Sequence, residues 1–248
     1  MAEKPPVSPW LVLSVGVFAI STGAIFARMA DAPALVIAAY RTGLASLFLL
    51  PFTGAGTLRE ARGLSRKDLL TVVLSGGFLA LHFAAWISSL FYTTVASSVV
   101  IVNAIPLWTG LLSPMLTGDP FSSRLKKGLL LALPGGVIIG WGDFALGGTA
   151  LWGDFLALLG SFFAALYILF GRRVRPRMSL TGYVTLNYGT SALVLWAIVA
   201  AMGLPPSGYS GTTWAAFFLM ALVPQILGHS SYNWALRWLS GGTVALCL

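Results

Sequence analysis

The stretch His82-Phe-Ala-Ala-Trp-Ile-Ser-Ser-Leu-Phe-Tyr-Thr-Thr-Val-Ala-Ser-Ser98 places a histidine and a tryptophan one helical turn apart inside a long apolar run. A related stretch lies far down the chain: Gly228-His229-Ser-Ser-Tyr-Asn-Trp-Ala-Leu-Arg-Trp-Leu-Ser-Gly-Gly-Thr-Val-Ala245. Setting Ser89-Leu90 on Ala235-Leu236, 146 positions on, puts Tyr92 on Trp238, Thr94 on Ser240 and Ser97 on Thr243. His229 then falls on Phe83, one position from His82. A second match has nearly the same shift: Gly160 to Arg172 resembles Gly16 to Arg28, 144 positions on. The pattern of the first apolar segment thus restarts in the sixth.

Composition sets the class in which this repeat must be read. Of 248 residues, 57% are hydrophobic and 9% charged, against about 25% charged in soluble domains. The mean hydropathy is +0.87. This is the composition of an integral membrane protein. The 28 glycines suit helices that pack closely in lipid. A formal charge of +8 is assigned to membrane orientation and not to nucleic acid. Cys247 is the single cysteine, so no disulfide forms within the chain.

A spanning helix needs about 20 mainly apolar residues. Eight segments qualify: 9–28, 33–53, 68–91, 94–116, 126–144, 151–171, 179–202 and 213–237; a ninth begins near Gly241. The first follows Glu3 and Lys4 and is long for a cleaved leader, so it is read as a retained helix. Arg59, Arg62, Arg66 and Lys67 lie between the second and third spans. Arg124, Lys126 and Lys127 lie between the fourth and fifth, and Arg172, Arg173, Arg175 and Arg177 follow the sixth. The alternate loops carry no Lys or Arg. Because basic residues stay on the cytoplasmic side, the N-terminus is expected there. A repeat of five helices inverts its second copy. The expected fold is therefore all-α integral membrane, with an inverted five-plus-five transmembrane helix repeat over 9–144 and 150–248. That plan has ten helices when complete and here shows eight and the start of a ninth. The counterpart of Pro106 would fall near position 252, so the second repeat is expected to be cut short. A substrate site near the midplane between the halves goes with this plan.

These residues resemble a known family. His82-Phe-x-x-Trp-x-x-Ser-Leu-x-Tyr-Thr-x-Val-Ala-Ser-Ser, Asn103-x-x-Pro106 and Gly228-His229-Ser-x-x-Asn233-Trp-Ala-Leu-Arg237 are similar to the EamA-type branch of the drug/metabolite transporter superfamily. So are Arg41 with Ala45 and Pro51, and Gly153-Asp154-x-x-Ala-Leu. The resemblance covers the whole chain. It implies ten helices around a central cavity, and export of amino acids, other metabolites or drugs across the bacterial inner membrane.

His82 and Trp86 share a helical face that Ser89 continues. Gln225, His229 and Asn233 form an i, i+4, i+8 stripe with Tyr232 beside it. Polar groups in hydrocarbon are costly unless they face protein or water. They either line a cavity or bond between helices, a modest glue of about 0.6–2 kcal/mol. The cavity is preferred for His82 and His229, since each half supplies one. For Gln225 and Asn233 the two roles weigh equally. Trp86 and Tyr167 lie deep enough to wall a binding site or simply to pack. Trp10, Trp141, Trp152, Trp214 and Trp238 lie near span ends, where aromatics form interfacial belts. Asn103 sits beside Pro106, whose missing N–H exposes a carbonyl to a ligand or a neighbouring helix. Pro134 and Pro224 are expected to loosen their helices. Arg41, inside the second span, is read first as snorkelling or structural and second as a partner for an anionic substrate group.

The expected substrate-binding set is thus His82, Trp86, Asn103, Tyr167, Gln225, His229 and Asn233. All seven acids, Glu3, Asp31, Glu60, Asp68, Asp119, Asp143 and Asp154, lie at helix ends or in loops. The histidines, with an ordinary pKa of about 6.5, are therefore the default proton carriers if transport is proton-linked. No cofactor, metal site or catalytic residue is expected. The expected partners are a small-molecule substrate and the lipid bilayer. The expected function is a secondary exporter of small metabolites such as amino acids, working by alternating access. A membrane-embedded lipid-modifying enzyme and a non-transporting fragment or subunit are the alternatives.

Overall fold

The computed structural model describes residues 4–120, 123, 126–130, 134, 135, 138 and 148–248. Regular structure among them is helical: α1 Pro9–Ser21, α2 Gly23–Met29, α3 Ala34–Gly63, α4 Arg66–Ser89, α5 Val95–Val102, α6 Ile105–Leu116, α7 Gly148–Val174, α8 Leu180–Ala201 and α9 Gly211–Met220. A π-helical segment Ala221–His229 continues α9 into α10 Ser230–Ala235, and α11 is Gly241–Leu246. Seven helical stretches among the described residues are long and apolar enough to cross a membrane. The predicted span 126–144, with Trp141 and most of the Pro134 region, falls largely outside the described residues.

Local chemistry accounts for the helix starts. Ser65, Thr94, Ser179, Ser210 and Ser240 each accept a hydrogen bond from the backbone N–H three residues on, which satisfies an orphan donor of the first turn. Breaks inside spans also have local causes. The fourth span parts at Asn103–Ala104, just before Pro106, as expected of a residue with no N–H. The first span parts at Thr22, whose hydroxyl turns back onto Ala19 O at 2.7 Å. The second span departs from expectation: α3 runs to Gly63 through Pro51, ten residues past the predicted end. Arg59, Glu60 and Arg62 are good helix formers and carry the helix beyond the apolar stretch.

The ends of the helices meet in two groups. At one end, Arg177 pairs with Asp68 at 2.6 Å and Arg172 with Asp119 at 3.6 Å, and Ser179 N donates to Glu60 at 3.3 Å. This end collects the basic segments. At the other, Asp31 N donates to Thr213 Oγ1 and Tyr40 OH to Pro206 O. Since α7 ends at the first group and α2 at the second, the first and sixth spans run in opposite directions, as an inverted arrangement requires.

Contacts repeat at the shift seen in the sequence. Arg28 Nη1 donates to Leu90 O at 3.2 Å, and Arg172 Nη1 to Leu236 O at 2.9 Å. The Thr94 cap recurs as the Ser240 cap. Close crossings recur as well. A Cβ on Gly16 would lie 2.8 Å from Ser231 Cβ, and one on Gly160 would lie 3.2 Å from Trp86. The first helix of each half thus crosses the third helix of the other at a glycine, and the cavity lies beside these crossings.

Candidate functional site

Trp86 at the Gly160 crossing and Tyr232 at the Gly16 crossing face a common cavity of about 740 Å³, counted to its open mouth. Five of the seven expected residues line it: His82, Trp86, Asn103, Tyr167 and His229. Ser21, Arg41 and Tyr232 add to its polar wall, while Ile20, Ala24, Val102, Ile105 and Ile168 give apolar surface.

The histidines are close but differently held. Their ring centroids are 6.4 Å apart. His82 Nδ1 lies 2.9 Å from Gly160 O. A carbonyl only accepts, so Nδ1–H donates, and a neutral ring keeps Nε2 as an acceptor. This bond fixes α4 to α7 at their crossing, and the His82 ring lies parallel to Trp86 at 6.0 Å. His229 instead sits among Phe83, Tyr167 and Tyr232, at centroid distances of 5.2, 6.0 and 6.1 Å. Its Nδ1 makes no hydrogen bond among the described residues.

Gln225 and Asn233 stand behind the wall. Pro224 lies inside the π-helical segment, where the wider turn breaks the 3.6-residue period on which an i, i+4, i+8 stripe depends. The three residues therefore fan apart. Gln225 Oε1 accepts from Arg41 Nε at 2.7 Å. Asn233 Oδ1 accepts from Tyr167 OH at 2.6 Å, and Asn233 Nδ2 donates to Tyr188 OH at 3.4 Å. Both side chains support residues that reach the cavity. Asn103 lines the cavity at the α5–α6 break.

Arg41 corrects the snorkelling expectation. It is 1% exposed and forms part of the cavity wall. Its guanidinium carbon sits 3.9 Å from the Phe83 ring centroid, a cation–π distance. The structural bond anticipated for it exists, to the side-chain amide carbonyl of Gln225. The sequence did carry a signal, since an arginine within an apolar span is a functional candidate by default. Its partner, 184 positions away, had none.

The sequence pattern of the EamA-like transporter family matches residues 8–141 and again residues 151–248. The chain belongs to the EamA-like transporter family. It is a multi-span helical membrane transporter of the drug/metabolite type. No curated protein matches it. A solved structure described only as "Crystal structure of protein" shares its fold, with a TM-score of 0.71 at 16% identity, covering 97% of this chain and 84% of that one.

Around the cavity of this EamA-like transporter, a second buried network fixes the wall. Ser75 Oγ donates to Tyr167 O at 3.0 Å and lies 2.8 Å from Tyr183 OH. Asn187 Nδ2 donates to Ser75 Oγ at 3.1 Å. Tyr188 OH lies 3.0 Å from Ser230 Oγ. These groups bond one another within the protein, as a low-dielectric interior favours, with Asn187 Oδ1 left without a partner among the described residues. Arg175 belongs to the same layer and donates from Nε to Asn233 O at 2.7 Å.

Proposed function

We propose that this chain is a secondary transporter that carries a small metabolite, of the size of an amino acid, through the cavity between residues 9–144 and 150–248. These two segments act as repeats that rock about the cavity and expose it to each side in turn. The N-terminus lies in the cytoplasm of a bacterial cell, the protein sits in the inner membrane, and net movement is outward. The observation that carries this reading is the cavity itself. It lies at the crossing of the two repeat-related helix pairs, and both halves contribute polar groups to it. A midplane site between inverted repeats is the plan of alternating-access carriers. Gathering of Arg59, Arg62, Lys67, Arg172, Arg173 and Arg177 toward one end supports a cytoplasmic assignment of that end.

The test is release from liposomes. The purified chain is reconstituted and loaded with labelled amino acids and related small metabolites, one at a time. Faster release than from protein-free liposomes is expected for at least one compound, with the effect much reduced in Trp86→Ala. Release at the protein-free rate for every compound defeats the proposal.

A further inference from the structure

Two arginines are fully buried in the described spans, and they are held differently. Arg175 is 1% exposed and spends its donors on main-chain carbonyls, Asn233 O from Nε at 2.7 Å and Met178 O from Nη1 at 2.5 Å. Arg41 is equally buried. Its one hydrogen bond among the described residues runs from Nε to Gln225 Oε1, and Nη1 makes none. Arg41 lines the cavity, whereas Arg175 does not.

The remaining polar atoms around Arg41 share its character. Trp86 Nε1, Gln225 Nε2, Tyr232 OH and His229 Nδ1 are buried with no hydrogen-bond partner among the described residues. A guanidinium, an indole N–H and an amide NH2 only donate, and a phenol donates as well as accepts. Arg41, Trp86 and Tyr232 belong to the cavity wall, with Gln225 behind it, so beside the His82 acceptor the wall offers one permanent positive charge and unpartnered donors. No acidic side chain among the described residues lines it: Asp31, Glu60, Asp68, Asp119 and Asp154 are all absent from it. A buried charge inside a membrane protein calls for a counter-charge, and unpartnered donors call for acceptors.

We propose that the cavity recognises the carboxylate of a small organic acid. The carboxylate is held by Arg41, with donors from Trp86 and Tyr232, and the apolar body of the ligand lies between the Trp86 and Tyr167 rings. One guanidinium matches a single negative charge, which favours a monocarboxylate over a phosphate dianion. An ammonium group finds no acidic side chain on the wall, so an amino acid binds by the same end as its deaminated analogue and gains nothing from its amine. This assignment rests on the reading of the cavity as the substrate site and adds which group of the substrate is recognised.

The test uses four probes of one size on the purified full chain in nanodiscs, with binding followed by calorimetry: 3-phenylpropanoate, phenylalanine, 3-phenylpropanamide and 2-phenylethylamine. The two carboxylates are expected to bind within a few-fold of each other. The amide and the amine are expected to bind about tenfold or more weaker, as the loss of a charge-assisted hydrogen bond implies. Arg41→Gln should remove the preference for propanoate over amide, and Arg41→Lys should retain part of it. Because Arg41→Gln also disturbs a buried contact, the wild-type ranking is decisive by itself. Binding of the amide or the amine as tight as that of propanoate overturns the assignment. So does binding of none of the four, even if the reconstituted chain transports another compound, in which case the transport reading survives. The predicted ranking together with an absence of transport would retain the carboxylate site and defeat the transport reading.

Discussion

At the scale of single residues, the two histidines separate support from surface. His82 donates to Gly160 O across the α4–α7 crossing. Gly160 O lies inside α7 and also accepts the helix's own N–H, so removing the ring takes away an interhelical bond worth about 0.5–1.5 kcal/mol and leaves no orphaned carbonyl. His229 Nδ1 has no such bond among the described residues, so truncation there loses ring packing but no interhelical hydrogen bond from Nδ1. His82→Ala is therefore expected to lower the melting temperature more than His229→Ala, while both lower transport. His82→Gln keeps a donor and should recover most of the stability. Thermal melts in detergent beside liposome transport separate these outcomes. Equal melting of His82→Ala and wild type would show that the Gly160 bond contributes little. Glutamine at either position also removes titration, so an unchanged pH profile in both variants would exclude the histidines as proton carriers. His82, Trp86 and His229 were legible as cavity residues because polar and aromatic side chains stand out against an apolar run. The tie of Gln225 to Arg41 was not, because it is made by folding between residues far apart in the chain.

At the scale of elements, composition located the spans better than it located their ends. Hydropathy reports where the apolar stretch stops, and a helix is free to continue past it, as α3 does to Gly63. The kink at Pro106 was legible because proline lacks an N–H. The form taken at Pro224 was not. A proline predicts a lost hydrogen bond, but the conversion of nine residues, Ala221–His229, to π-helical geometry depends on how α3 and α1 pack against them. That geometry sets which way His229 faces. Pro224→Ala restores the missing N–H and lets the segment tighten toward an α-helix. Since proline in a helix interior costs about 3 kcal/mol, this variant is expected to melt at or above the wild-type temperature. It should still lose transport, because His229 and Gln225 turn away from Arg41 and the cavity. Wild-type transport in a stabilised Pro224→Ala variant would show that the π-helical form is incidental.

At the scale of the whole molecule, the inverted plan was legible from two weak sequence matches because their shifts nearly agreed, and the structure repeats its contacts at those shifts, from Arg28–Leu90 O to Arg172–Leu236 O. The way each end is tied was not legible, since ion pairs between loops follow from packing. At the basic end, Asp68 joins α4 to Arg177 beyond α7, and Asp119 joins the segment after α6 to Arg172. On the proposed alternating-access reading, opening the cavity toward this end parts these pairs. Arg177 is well exposed, and exposed ion pairs contribute only about 0–1 kcal/mol each. Asp68→Asn alone should therefore shift the balance of states slightly, and Asp68→Asn with Asp119→Asn a few-fold. Cysteine labelling in whole cells tests the placement and the movement together, with Cys247 replaced by serine. A cysteine at Ser207 is expected to react with an impermeant maleimide in intact cells, and one at Ser65 only after the cells are opened. In opened cells, a cysteine at Ala164 on the cavity wall should label faster in the doubly substituted protein. Labelling of the Ser65 position in intact cells would reverse the assigned orientation. Unchanged labelling at Ala164 would show that these ion pairs decorate the basic end without holding it closed.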